Sequence, residues 1–423
     1  MPCGGEPIRR LGRNENPHDN GFREFQMKKL LLATTVLAGL SGAAFADGHA
    51  VKMGVVLGFT GPIESLTPDM AAAAEMAMKE ASDSKMLLDG KVIEPVRADS
   101  TCTDAQAATT NAEKLVTSDN VVAIMGADCS GVTTAIVNNV GAPNGVVMIS
   151  PSATSPALST IEDKGFFFRT APSDARQGQV LADVLMDKGI KNVAVTYTNN
   201  DYGKGLAESF QNAFEAAGGK VAISAAHEDG KADYSAEVGA LSAAGAEHLA
   251  VFGYVDQGGK GIIQTALDTG AFDKFILADG MIGESLISAI GDDLNGAIGT
   301  LPGSESEGAA KFQEVAKAAG LSKVDGPFMP ESYDAAALMI LAMQAAGSTD
   351  RAAIQGKVMD VANAPGEKIL PGELAKALEI LKNGGQVDYE GASNVTFTDV
   401  GEAAGSYKEL EIKDGKFETV KVR

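Results

Sequence analysis

The chain has 423 residues, 45% of them apolar, with 49 glycines, few aromatics, no tryptophan and a formal net charge of −21. That length allows two or three domains with ample core, packed through small side chains rather than large rings. So acidic a chain is repelled by nucleic acid and by anionic lipid faces, so no nucleic-acid partner is expected.

Residues 1–26 are polar, Arg-bearing and without periodicity, and read as an upstream extension. Met27-Lys28-Lys29, the apolar run Leu30 to Leu40 and Ala44-Phe45-Ala46 then supply the three regions of a secretory signal peptide over 27–46. The run is shorter than the roughly 20 apolar residues a membrane span needs, and no later stretch is long enough. Export to the periplasm with cleavage after Ala46 is the expectation. Removal of 1–46 takes away six Lys/Arg and four Asp/Glu, moving the net charge from −21 to −23. Cys3 leaves with the extension. Cys102 and Cys129 remain, an even pair in an oxidising compartment, and read as a disulfide. No His/Cys cluster accompanies them, so neither a metal nor a cofactor is expected.

From Val51 onward, strand, turn and helix repeat. Strands are predicted at Val51 to Leu57, Val92 to Ala98, Val121 to Met125, Val146 to Ile149 and Phe166 to Arg169. Helices are predicted at Ala71 to Ser82 and from an Asp104 cap to about Thr117. After Thr170-Ala171-Pro172-Ser173 the alternation restarts, with strands at Val193 to Tyr197, Val221 to Ser224, His248 to Phe252 and Phe275 to Ala278. The helices of this array are expected to begin near Asp174, Gly205, Ser235 and Gly259. Two consecutive arrays of this kind imply an α/β fold of two doubly wound, parallel-sheet lobes. Leu301-Pro302-Gly303 ends the second array. Helices follow at Gly308 to Ala319, Ser332 to Ala346, Arg351 to Ala362 and Glu373 to Lys382, and then a hairpin over Lys408 to Val422 with Asp414-Gly415 at its turn. The late helices suggest a return to the first lobe. Lobe 1 is then 47–169 with 302–393, and lobe 2 is 170–301 with 394–423, with crossovers near 170, 302 and 394.

The stretch 121–158 concentrates the chemistry. Its two apolar runs are joined by one crossover, so the loops Gly126-Ala127-Asp128-Cys129-Ser130-Gly131 and Ser150-Pro151-Ser152-Ala153-Thr154-Ser155-Pro156 leave the same sheet edge. Ser130, Ser152 and Thr154, with free backbone N–H groups near a helix N-terminus, suit a small anion such as a carboxylate. Helix capping accounts for the same residues equally well.

Enzymatic motifs are missing. Gly58-Phe59-Thr60-Gly61-Pro62 lacks the third glycine of a dinucleotide loop, and neither a P-loop nor a nucleophile elbow occurs. Of four histidines, His18 and His49 lie in or beside the leader, while His227 and His248 stand apart from ligand or nucleophile partners. The second array does place polar and aromatic groups after its strands: Asn199-Asn200-Asp201-Tyr202-Gly203, Gly253-Tyr254-Val255-Asp256 and Ala278-Asp279-Gly280-Met281. Asp279 could pair with a cation in a cleft or cap the helix at Glu284. A tyrosine offers both an apolar wall and a hydroxyl.

The chain resembles the periplasmic substrate-binding proteins of ABC importers for branched-chain amino acids, the leucine/isoleucine/valine-binding type. The marks are Gly61-Pro62, the pair Cys102 and Cys129, Cys129-Ser130 opening a helix, and Ile149-Ser150-Pro151-Ser152-Ala153-Thr154-Ser155-Pro156. Asp201-Tyr202-Gly203-Lys204-Gly205 and Tyr333-Asp334-Ala335-Ala336 support them. The resemblance implies two α/β lobes joined by three crossovers. It also implies a carboxylate held by Ser130, Ser152, Ala153 and Thr154, a second-lobe wall of Tyr202 and Tyr254, and an α-ammonium on Asp279. Three departures stand out: Asp in place of the family's Glu at 279, a Pro62-to-Pro68 turn longer by one residue and without an aromatic, and an extra acid, Glu64, beside it.

The expectation is therefore a non-catalytic, monomeric receptor that closes on a small amphiphilic acid and delivers it to an ABC permease. An aromatic acid or amide as ligand, or a binding-only sensor, are the alternatives.

Overall fold

The structure is a computed structural model that describes residues 50–423, so the upstream extension and signal peptide lie outside the described residues. Among these, no helix is long and apolar enough to cross a membrane.

Five parallel strands form the first sheet: β1 (Ala50–Leu57), β2 (Val92–Asp99), β3 (Ala123–Gly126), β4 (Val147–Ser150) and β5 (Phe167–Arg169), in the order β2-β1-β3-β4-β5. β3 and β4 are buried at every position, the pattern of a sheet covered on both faces. Register pairs Val56 with Gly126, Met125 with Ile149 and Ser150 with Arg169, so the carboxyl ends of β1, β3, β4 and β5 line up. The loops of the 121–158 stretch consequently open on one edge.

In the second sheet β6 (Asn192–Thr198), β7 (Lys220–His227), β8 (His248–Phe252), β9 (Phe275–Leu277) and β10 (Ile298–Pro302) run parallel. The hairpin β13 (Tyr407–Lys413) and β14 (Lys416–Val422) then adds to β10 antiparallel, giving β14-β13-β10-β9-β8-β6-β7. β10 was not expected. A five-residue Ile-Gly-Thr-Leu-Pro run is a weak strand signal, and its proline is tolerated because it closes the strand. A small parallel pair, β11 (Glu367–Ile369) with β12 (Val387–Tyr389), is also new; three residues each leave no periodicity to read.

Helix starts moved most. The first helix spans Thr67–Ser84, four residues ahead of the expected Ala71, because proline is tolerated in its first turn. The helix expected near Gly205 begins at Asp201, where the Asn200 side chain accepts from the Gly203 N–H. Asp104 caps the helix Ala105–Thr117 as expected, accepting from the N–H groups of Gln106 and Ala107.

The late helix Met329–Ala346 packs against Thr67–Ser84 and against β3 and β4. It is buried almost throughout its length, as a helix in the middle of a large core must be. Asp334 is a polar exception. Its carboxylate accepts from Tyr389 Oη (2.7 Å), the Ala392 N–H (2.8 Å) and the Ser393 N–H (2.7 Å) and hydroxyl (2.6 Å). Burial pushes its pKa up to about 6, and the donors pull against that rise. Asp334→Ala would strand these donors without water, and urea melts should show a loss of about 3 kcal/mol or more. A loss under about 1 kcal/mol would mean the segment 389–393 repacks freely.

Candidate functional site

Between the two sheets' carboxyl edges lies a cavity lined by residues from both lobes. Asp128, Cys129, Ser130 and Ser152 line one side; Tyr202, Tyr254, Asp279 and Gly280 line the other; Ile63, Leu66, Met70 and Phe328 make an apolar wall.

The first side is organised by Asp128, which is 1% exposed. Its carboxylate accepts from the Gly58 N–H after β1, from the Ser100 hydroxyl after β2 (2.7 Å) and from the Cys129 N–H (2.9 Å). Its carbonyl accepts from the Ser152 hydroxyl after β4 (3.1 Å). Burial raises its pKa, against the hydrogen bonds. The Cys102–Cys129 disulfide forms as expected and joins the loops after β2 and β3 covalently.

Ser130 is the first residue of the helix Ser130–Ile136, and its Oγ accepts from the Ser155 N–H (3.1 Å). A hydroxyl that accepts in this way keeps its own hydrogen for another partner. Ala153 and Thr154 are fully buried beneath Ser152 and do not line the cavity. The Ala153 N–H is spent on Ser150 Oγ (2.9 Å), whereas Thr154 Oγ1 is buried without a partner among the described residues.

The second side holds an acid. Asp279 opens a 3₁₀ turn, Asp279–Met281, and does not cap the helix at Glu284, whose cap position is Gly283. Its Oδ1 accepts from Tyr202 Oη (2.6 Å) and the Gly280 N–H (2.9 Å). The ring of Tyr202 stacks on Tyr254 with centroids 5.3 Å apart, and Asn200 donates to the Tyr254 hydroxyl (3.3 Å). A side chain at Gly280 would come within 2.6 Å of the Gly253 carbonyl, so only glycine lets the turn approach Tyr202.

A second acid, Asp174, lies behind the first. With the Gln177 amide nitrogen facing the acids, it donates to Asp279 Oδ1 (3.2 Å) and Asp174 Oδ1 (3.0 Å), while its oxygen accepts from Thr300 Oγ1 (3.1 Å) and the Asp279 N–H (3.2 Å). Burial, then the charge of Asp279, holds Asp174 well above the usual carboxylate range. Burial pushes Asp279 up to about 6, opposed first by the Tyr202 hydrogen bond. Of the two acids Asp174 is held the higher, so Asp279 is the one that ionises more readily and faces the cavity.

Sequence reasoning missed the apolar wall. Phe328 supplies the aromatic that the Pro62-to-Pro68 turn lacks, from a point 260 residues later in the chain. Glu64 is exposed, accepts from the Gly61 N–H (3.3 Å) and is not part of the lining. His227 is a buried structural histidine, bonded to Thr196 Oγ1 (2.8 Å).

Contacts across the rim close the lobes on the cavity. The Asp256 N–H donates to the Pro62 carbonyl (3.0 Å). The Asp256 carboxylate accepts from the Ser65 N–H across the cleft (2.9 Å) and from the Ser285 hydroxyl of its own lobe (2.7 Å).

Two parallel-sheet lobes closing on a cavity at their strand ends define a solute receptor. Residues 50–368 match the family described as periplasmic binding protein. The chain is 31% identical over 336 residues to Leu/Ile/Val-binding protein homolog 1 of Brucella abortus, covering 77% of this chain and 86% of the relative. It is 29% identical over 323 residues to the leucine-, isoleucine-, valine-, threonine- and alanine-binding protein of Pseudomonas aeruginosa, covering 76% and 84%. The crystal structure of a leucine-binding protein from Thermotoga maritima superposes with a TM-score of 0.75 at 24% identity, over 88% of this chain and 98% of that one. The chain belongs to the periplasmic binding protein family and is a non-catalytic solute receptor of the ABC-importer superfamily, with a small molecule and a membrane permease as partners.

A cation docked on Asp279 needs the ionised carboxylate. Because its pKa is raised to about 6, affinity for such a ligand should fall as pH drops through that value. A ligand bearing an ammonium is expected to bind about tenfold more weakly at pH 5 than at pH 7.5. Titration calorimetry at both pH values checks this, and equal affinities would show that no cation meets Asp279.

Proposed function

We propose that the receptor captures a small amphiphilic α-amino acid, of the branched-chain or another hydrophobic type, and hands it to its permease. One observation carries the reading: the cavity is lined by Asp279 on one side, by the Ser130 hydroxyl at a helix start on the other, where the Asp128 carboxylate is taken up by Gly58, Ser100 and Cys129, and by an apolar wall. The ligand carboxylate would meet the Ser130 hydroxyl at the start of Ser130–Ile136, joined by the Ser152 hydroxyl on leaving the Asp128 carbonyl, with the loop Ala153-Thr154 behind them. Helix N-termini and free hydroxyls both favour an anion.

The ammonium would meet Asp279, whose neighbour Tyr202 fixes the carboxylate's orientation. Tyr254 would cover the α-carbon, and the side chain would lie against Ile63, Leu66, Met70 and Phe328. The wall is built of two aliphatic side chains, a flexible thioether and one phenyl ring, so it supports an apolar side chain over a charged one. The three chain passages near 170, 302 and 394 would serve as the hinge, and ligand contacts to both lobes would favour the closed form.

A thermal-shift screen should therefore rank leucine, isoleucine and valine above acidic and basic amino acids and above aromatic acids, since a ligand of the native state raises its stability. Asp279→Ala should weaken leucine at least about thirtyfold, because stranding one partner of a desolvated charge pair costs roughly 2–5 kcal/mol. The des-amino analogue 4-methylpentanoate should lose little. Intact leucine affinity in that variant would point to a carboxylate ligand without an amine.

A further inference from the structure

Arg169 ends β5 and is 1% exposed, although it carries a full positive charge. A buried guanidinium is tolerated only when its donors are satisfied. Here Nη1 donates to the carbonyls of Ala153 (3.0 Å) and Ser155 (2.9 Å), and Nη2 to the Ser159 hydroxyl (2.8 Å). Nε and Nη2 both reach Glu402 Oε2. The backbone of Arg169 is also paired with the segment around Glu402, donating to the Gly401 carbonyl (3.0 Å) and accepting from the Ala403 N–H (3.1 Å). Arg169 therefore grips the loop after β4 from behind and fastens it to a segment remote in sequence.

The consequence runs along the loop toward Ser130. In a trans peptide the carbonyl and the following N–H point in opposite directions. Drawing the Ala153 carbonyl to Arg169 turns the Thr154 N–H away from it, and among the described residues nothing accepts from that N–H. Holding the Ser155 carbonyl restrains the residue whose N–H, on the preceding peptide plane, donates to Ser130 Oγ, and that bond leaves the Ser130 hydrogen to be donated elsewhere. Ser152, one residue before the gripped pair, is held against the Asp128 carbonyl.

We infer that Arg169 is the positioning residue of the cavity's carboxylate end: it does not touch the ligand, but fixes the loop 152–155 against Ser130, and with it the Ser130 hydroxyl, by holding the carbonyls of Ala153 and Ser155, with Glu402 as its anchor. The inference rests on the proposal that this end of the cavity takes a carboxylate. Lysine keeps the charge but not the planar fork that spans two carbonyls and an acid.

The test measures binding of L-leucine, 4-methylpentanoate and L-leucinamide to wild-type protein, Arg169→Lys and Glu402→Gln, together with hydrogen exchange of residues 150–158. Arg169→Lys should weaken both carboxylates at least tenfold, change leucinamide less than threefold and speed exchange in 150–158 selectively. Glu402→Gln retains the guanidinium and should shift the carboxylates the same way by three- to fivefold, which keeps the test decisive if Arg169→Lys does not fold. Equal losses for leucine and leucinamide in both variants would reduce Arg169 to a structural role and overturn the proposal. So would a variant that keeps the wild-type preference for the carboxylates. Wild-type protein that binds none of the three probes, or leucinamide as tightly as leucine, would instead contradict the carboxylate reading itself and remove the Arg169 role with it.

Discussion

Four loops of the first lobe converge on one buried carboxylate, Asp128. It receives donors from the loops after β1, β2 and β3, and its own carbonyl receives the Ser152 hydroxyl from the loop after β4. Burying a carboxylate is costly unless donors surround it, and here each donor comes from a different strand end. The parallel register makes this possible, because it brings those ends to one edge. Asp128 thus converts a sheet edge into a fixed surface, and the disulfide beside it closes the same junction. Ser130 and Ser152 owe their places in the cavity to this junction.

The opposing side is built on a different economy. Asp279 is one methylene shorter than the glutamate of the leucine-binding type, and its surroundings make up for reach with fixation. Tyr202, Gly280 and Gln177 hold it from three directions, and burial beside Asp279 raises the pKa of Asp174 behind it, which disfavours a second full charge. In the proposed function this leaves one carboxylate for one ammonium. The rim contacts of Asp256 with Pro62 and Ser65 join the lobes, so they add to whatever ligand contacts bridge the cleft.

Much of the fold was legible in the sequence because strands of a covered parallel sheet are continuous apolar runs, and nine of them stood out from Val51 to Ala278. The carboxyl-edge loops could be located for the same reason, and with them Ser130, Ser152, Tyr202, Tyr254 and Asp279. β10 was hidden by its glycine and proline, and β11 and β12 by their length. Ile63, Leu66, Met70 and Phe328 carried no signal, since an apolar residue that lines a cavity looks like one that fills a core. Arg169 and Asp174 were visible only as the end of a strand and the start of a helix. Their roles depend on partners at 153, 155, 177, 279 and 402, which no local pattern reveals. Asp128, next to a cysteine in a polar turn, was similarly opaque, because three of its four partners lie in other loops.

The central claim is one of polarity: an amphiphilic amino acid lies in the cavity with its carboxylate toward Ser130 and Ser152 and its amine toward Asp279. A crystal structure of the receptor with leucine tests this most directly. The account requires the leucine nitrogen within hydrogen-bond distance of Asp279, its carboxylate at the start of Ser130–Ile136 and its side chain against Leu66, Met70 and Phe328. Leucine bound in the reverse orientation, or outside the cavity, would contradict it.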